Sequence, residues 1–358
     1  MEFQVPNYPL ALLNLMEEVY VSTGEPPLGI ATRLGVEPSM FNVPAHKLLH
    51  ALLTHSPSPK TIAQEFLLEL GKCGNPLVET LAEEVYSEVS TSAVDDWAVI
   101  VLQGLQEHAG DLSTITRLGS HYLTHLVIAF RNPGGPKTPQ DTIPFTPNHR
   151  RIEEIEELLR PIEVVLRDGD YCLLTGFCFF PPTYVPSRCA HLIPFSIRSK
   201  TQTFSAIETF TGFALDTEAI QNYLNHPRNA LNVECGSHEI MNKHMSWGIE
   251  AISSNDQWRY YYRIVRPDRL SALIRLRDGD EVHFGAGIGG RQIALPDPRI
   301  CNIHLAVCRV SYACGASENF DQFNDDEDDE GYRVPVYFGG PFVSDDALMR
   351  KLETSLVC

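Results

Sequence analysis

Between Asn132 and Asn148 the chain reads NPGGPKTPQDTIPFTPN, with five prolines and two glycines in one short stretch. Proline fixes φ and lacks the backbone donor, so no regular helix or strand ladder runs through such a segment. The stretch therefore reads as a linker, and the chain must build its order on either side of it.

The part before the linker reads as helices. HKLLHALLTH from His46, TIAQEFLLELG from Thr61 and NPLVETLAEEVYSEV from Asn75 repeat apolar residues at three- and four-residue spacing. DDWAVIVLQGLQEH from Asp95 and LSTITRLGSHYLTHLVIAF from Leu112 continue the pattern. That spacing marks one buried face per helix. Asn75-Pro76 and Asp95-Asp96 have the chemistry of helix starts. The expected organisation is a helical N-terminal domain over 1–131, the linker over 132–148, a second domain over 149–318, and an acidic loop with a C-terminal segment over 319–358.

After the linker, RRIEEIEELLRPIEVVLRDGD reads as a charged helix, then a short strand at Ile162–Leu166 entering an Asp168-Gly169 turn. The string LRDGD recurs at 276–280 and reads as the same hairpin turn used twice. GAGIGG (285–290) has no clear helix behind it and reads as a flexible loop. A helix is expected near 302–314. The segment DQFNDDEDDEGYR (321–333) reads as a disordered acidic loop.

Composition narrows the function classes. Of 358 residues 43% are apolar and 21% charged, enough to bury a core and too apolar for a mostly disordered chain. No apolar run is long enough to span a membrane. Met1 to Tyr20 carries Glu2, Glu17 and Glu18 and lacks the pattern of a signal or transit peptide. Nine cysteines, an odd number at irregular spacing, point to reduced thiols and a cytoplasmic or nuclear location. Cys172, Cys178, Cys189 and Cys235 form no CxxC pair and read as buried free thiols rather than zinc ligands. The net charge of −18 argues against a protein that coats DNA. It is unevenly placed, however, because 149–310 carries 18 basic against 19 acidic side chains between two acidic flanks.

The residues with chemical potential lie between Asp168 and Trp258. His191 sits in an apolar, strand-like run that stops at Pro194. Asn229 opens a second strand-like run, Ala230–Val233. His238 follows Gly236-Ser237 at the start of an expected helix, and Asn242, four residues on, shares its face. The order is a strand with a histidine, a strand opened by an asparagine, and a helix with a ligand-type pair.

This constellation resembles the HNH nuclease family, and within it the HNH-domain proteins common in fungi. The resemblance rests on Cys172 to Gly176 (C-x-x-T-G), Ala190 to Phe195, the Asn225 and Asn229 pair, His238, and the segment His304 to Glu318. It implies an α+β fold in which a ββα-metal core is embedded in additional strands and helices. It further implies that His191 is the general base, that Asn229 locks the hairpin and orients His191, and that His238 and Asn242 hold a divalent metal ion, Mg, Mn or Zn. Those roles suit phosphodiester hydrolysis, which needs a base working near neutral pH and a cation for the developing phosphorane charge. Two positions depart from the family pattern. Ala190 stands where many members carry a ligand before the base. Asn242 stands where a carboxylate is usual, and an amide oxygen brings no charge to a hard cation. Glu234 or Glu239 would have to substitute.

WRYYYRIVRPDRLSALIRLR (258–277) is the candidate nucleic-acid surface. It carries six arginines against Asp268, interleaved with aromatics, and Arg259, Arg263, Arg266 and Arg269 are its expected phosphate contacts. The competing readings are a strand pair with one solvated basic face and a basic patch already paired with the protein's own acidic segment. Taken together, the sequence predicts a metal-dependent HNH-type endonuclease acting on nucleic acid. The alternative is a catalytically weakened or repurposed scaffold that binds a protein or a non-nucleic-acid ligand.

Overall fold

A computed structural model describes residues 43–71, 118–131, 162–213 and 224–325, apart from 44, 120, 181–184, 195–196, 198–200, 225 and 256. The expected helices from Asn75 and Asp95, the linker, the charged helix before Pro161 and Asn225 lie outside the described residues. Helices α1 (Ala45–His55) and α2 (Pro59–Gly71) form where the apolar spacing predicts them. α1 buries Leu48, Leu49, Leu52 and Leu53 and turns Lys47 and His50 to water. α2 opens on a proline, whose missing N–H costs nothing in a first turn, and buries Ile62, Ala63 and Phe66. Phe66 meets Tyr122 edge-on at 5.5 Å between ring centroids. Tyr122 leads into a π-helical turn at Leu123–Val127.

Helix α3 occupies residues 162–168, where the sequence predicts a strand. Its end explains the difference. The Gly169 N–H donates to Val165 O at 2.7 Å, and Gly169 takes φ +93°, the left-handed conformation that glycine supplies at a helix C-terminus. The second LRDGD is a turn that leads into the strand at Glu281–Val282. Gly279 sits at φ +87° with its N–H on Tyr262 O, and the Asp280 carboxylate accepts from Arg277 N at 2.7 Å. α4 (Thr201–Thr211) falls within the long span between His191 and Asn229. It packs on α2 and the π-helical turn.

Two antiparallel sheets complete the mixed α+β architecture. β1 (Ser187–His191) pairs with β2 (Ala230–Glu234), and α5 (Cys235–His244) follows β2 without a loop. β3 (Trp247–Ser254), β4 (Gln257–Ile264) and β5 (Glu281–Val282) form a second sheet in that order.

The central element is α6 (Pro298–Ala313), started by Asp297, which accepts from Arg299 N. It is apolar on most of its circumference because it is covered by β3, α1 and the π-helical turn. It also protects the open edge of β3. The Asn302 amide donates to Ala251 O at 3.0 Å and accepts from Ala251 N at 2.8 Å, replacing a missing strand. A side chain at Gly248 would meet Leu305 Cα at 3.1 Å, so glycine permits this close approach. One hydrophobic core runs from α1 and α2 through α6 to both sheets. After α6 comes α7 (Ala316–Asp325). Residues 321–325, expected as loop, are therefore helical, while 326–333 lie outside the described residues.

The glycine-rich segment 285–290 is pinned rather than flexible. Gly287 N donates to Arg167 O and Gly289 N to Leu166 O, each at 2.8 Å. Gly285 N donates to the Asp168 carboxylate, which also holds the buried Arg167 guanidinium through two bonds. Arg167 then reaches the carbonyls of Pro227 and Ala230 beneath the β1–β2 pair. A side chain at Gly287 would lie 2.3 Å from Leu166 O, so this loop needs its glycines for close packing.

Among the described residues, no helix is long and apolar enough to cross a membrane.

Candidate functional site

The β1–β2 register sets His191 opposite Ala230 and Ser187 opposite Glu234. Asn229, immediately before β2, is fully buried and uses its whole side chain. Its Nδ2 donates to Ile193 O at 2.8 Å and Leu224 O at 3.0 Å, and its Oδ1 accepts from Ile193 N at 2.8 Å. Leu192 N donates to Asn229 O at 2.9 Å. Asn229 thus fixes the backbone two residues beyond His191. An aliphatic residue there would strand the buried peptide groups of Ile193.

The helix of the site starts abruptly because Glu234 caps it. Its carboxylate accepts from Gly236 N at 2.7 Å, Ser237 N at 2.5 Å and Ser237 Oγ at 2.8 Å. On the first turns, His238 and Asn242 meet, with Asn242 Nδ2 2.9 Å from His238 Nε2. An amide nitrogen only donates, so His238 Nε2 accepts and the ring proton sits on Nδ1. Burial lowers the His238 pKa, the charge of Arg188 lowers it further, and Glu239 opposes both only in part. The imidazole is neutral at physiological pH, the form that binds metals.

Side chains at 187, 189 and 191 share one face of β1, and those at 188 and 190 the other. Arg188 lies close enough for its charge to act on His238. Position 190 holds a fully buried alanine and offers no metal donor.

The two acids expected as substitute ligands are committed elsewhere. Glu234 is the helix cap, and Glu239 is exposed and pairs with Lys243 at 2.5 Å. Among the described residues, no group of three or more His, Cys, Asp or Glu is arranged to hold a metal ion. The remaining donors, an imidazole nitrogen and an amide oxygen, are neutral. They do not suit Mg²⁺, which favours charged oxygens. They suit Mn²⁺ or Zn²⁺ as two corners of a shell, once the Asn242 amide turns its oxygen inward. No disulfide joins the seven described cysteines; Cys172 is buried as expected, whereas Cys178, Cys189 and Cys235 are only half-buried, and burial pushes Cys314 up to about 12.

The arginine stretch is largely neutralised from within. Arg263 binds Glu250 across the β3–β4 pair, with Nε 2.7 Å from Oε2, and approaches Asp278 at 3.6 Å. Arg266, 2% exposed, lies 2.8 Å from Asp321 and 3.0 Å from Asp268. Arg269 reaches Asp321 at 3.1 Å. Arg259 is exposed near the end of the β3–β4 hairpin, next to the half-exposed Trp258. The reading of a patch paired with the protein's own acidic segment fits Asp321 on Arg266 and Arg269, although Asp321 is far from them in sequence and comes close only when α7 docks. Sequence reasoning left His244 unassigned, although its Nδ1 lies 2.6 Å from Asp321 Oδ1. No local signal marks that contact.

No family model matches the chain, and no curated protein or solved structure matches it either.

Proposed function

We propose that the chain acts as an HNH-type endonuclease, hydrolysing phosphodiester bonds of nucleic acid with a borderline divalent cation such as Mn²⁺ or Zn²⁺. One observation carries this reading. An antiparallel strand pair bears His191 and is clamped by the buried Asn229 amide, and it runs directly into a helix presenting a neutral His238 beside Asn242. His191 would take the proton from the attacking water, a task for which an unperturbed imidazole pKa of about 6.5 is suited. A cation held by His238 and Asn242 would supply charge neutralisation at the phosphate. Arg259, with the stacking surface of Trp258, is the group best exposed to meet a nucleic-acid strand.

Nicking of supercoiled plasmid, followed with Mn²⁺ or Zn²⁺ and with chelator, tests the reading. Metal-dependent nicking is expected, and His191→Ala should abolish it without changing the circular dichroism of the fold. Asn242→Asp should tighten Mn²⁺ binding in calorimetry, because it restores a charge beside His238.

A second reading is favoured by the same geometry. The hydrogen bond between Asn242 and His238 and the commitment of Glu234 to the helix cap suit a scaffold kept for binding rather than hydrolysis. A parent protein that binds neither cation and leaves plasmid intact would establish that second reading.

A further inference from the structure

We infer that Arg266, Arg269 and His244 form a built anion seat whose present occupant is the Asp321 carboxylate, and that a phosphate group taking this seat releases α7. Both carboxylate oxygens are used. Oδ1 accepts from His244 Nδ1 at 2.6 Å, and Oδ2 lies 2.8 Å from Arg266 and 3.1 Å from Arg269. Two guanidinium groups and an imidazole around one anion are the donor set that also recognises phosphate oxygens. Arg266 is buried at the base of the seat, while Arg269 and Asp268 lie at its more exposed side. Without Asp321 the seat would lose the carboxylate that Arg266 and Arg269 share, a change that favours another anion in its place.

The occupant arrives on a short helix whose residues Ala316, Ser317, Phe320 and Asp321 are buried. Phe320 is buried, with the Arg131 guanidinium 4.2 Å above its ring, and Ser317 Oγ contacts Ser311 Oγ at 2.9 Å. Arg131 donates to Phe320 O and to Lys243 O in the last turn of α5. His244, the final residue of α5, completes the junction. The seat thus ties α7 to the same helix that carries His238 and Asn242. Beyond Asp321 the sequence runs through six consecutive acids at 325–330. The contact is autoinhibitory in form, with an internal carboxylate keeping arginines from a phosphodiester. It rests on the proposed phosphodiester activity for the source of the phosphate, but the seat itself does not depend on cleavage.

Hydrogen exchange of the full chain, read by mass spectrometry at low salt, tests the seat. The probes are inorganic pyrophosphate and, separately, a short DNA duplex. With pyrophosphate, amides of 316–325 should exchange about tenfold faster, while those of α6 stay unchanged. Asp321→Asn keeps the shape and removes the charge, so it should tighten pyrophosphate binding about tenfold, and adding Arg269→Gln should reverse that gain. Equal pyrophosphate affinity in the parent and Asp321→Asn proteins, or no change of exchange over 316–325 in the parent, would overturn the seat. Opening of α7 by duplex alone would overturn it too, because a phosphate seat must accept the smaller anion. Plasmid nicking with α7 undisturbed removes this inference and leaves the nuclease reading. A pyrophosphate response without nicking does the reverse.

Discussion

The two regions that meet at α5 are held by different physics. The β1–β2 pair and the start of α5 rest on a buried neutral amide, Asn229, and on a capping carboxylate whose acceptors all find N–H or O–H partners. The end of α5, with β4 and α7, rests on ion pairs gathered at Asp321 and Glu250. The neutral Asn229 hydrogen bonds hold geometry at any pH. A carboxylate hub holds it only while ionised, and an anion can compete for it. The region suited to positioning a base is built to stay fixed, and the region suited to regulation is built to let go.

The sharpest way to break the comparison is Asn229→Ala. It leaves the Ile193 N–H and two carbonyls without their buried partner, and each stranded group costs about 1–3 kcal/mol. We expect a total loss of about 4 kcal/mol in urea unfolding, the same at pH 7 and at pH 3, because no charge is involved. A cost below about 1 kcal/mol would show that Asn229 is not the clamp.

Asp321→Asn is the counterpart in the ionic region. Burial raises the Asp321 pKa, but the His244 hydrogen bond and the Arg266 charge outweigh it and hold the carboxyl below its ordinary value of 3.8. A lowered folded-state pKa contributes stability above the unfolded value and loses it as pH falls through the folded one. The variant should therefore be about 3 kcal/mol less stable than the parent at neutral pH, the scale for breaking a buried pair. The difference should shrink below pH 3.8. A difference that persists at low pH would make the hub a packing feature rather than an ionic one.

A smaller effect separates the two ends of α5 itself. His238 is neutral in the fold, with its pKa lowered from 6.5 chiefly by burial. Burial brings His55 and His304 down to about 4 as well. The unfolded chain takes up protons that the folded chain refuses, so stability falls as pH drops below 6.5. His238→Asn should reduce the slope of that fall by at most about 1.4 kcal/mol per pH unit, the value for one proton. Urea midpoints between pH 7 and pH 4.5 read the slope directly, and an unchanged slope would place His238 in water.

Much of this was legible from local pattern. The apolar spacing in α1 and α2, and the strand, strand and helix order through His191, Asn229 and His238, describe elements that form where they were read. What failed was context. The string LRDGD ends a helix at Gly169 and forms the turn that leads into β5 at Gly279, and in both places glycine takes a positive φ. The backbone demand is local and visible, whereas the element around it depends on what packs there. The glycines at 285–290 read as freedom because their partners, the carbonyls of Leu166 and Arg167, lie more than a hundred residues earlier. The arginines read as a nucleic-acid surface because Glu250 and Asp321 come to them only through strand pairing and the docking of α7.

The smallest expected effect tests whether the start of α5 owes anything to surface charge. Glu239 and Lys243 form an i,i+4 pair at 2.5 Å, with side chains 57% and 42% exposed. The Lys243 hydrogen bond and charge lower the Glu239 pKa. Such an exposed pair gains little, because water screens the attraction and two long side chains lose freedom in making it. Glu239→Gln should change stability by no more than about 0.5 kcal/mol, and that difference should vanish in molar salt. Metal affinity at His238 and Asn242 should stay at the parent value, since Glu239 points to solvent and not into the pair. If Glu239→Gln weakened Mn²⁺ binding severalfold, Glu239 would be the missing anionic ligand, and the first turns of α5 would belong with the ionic region rather than the neutral one.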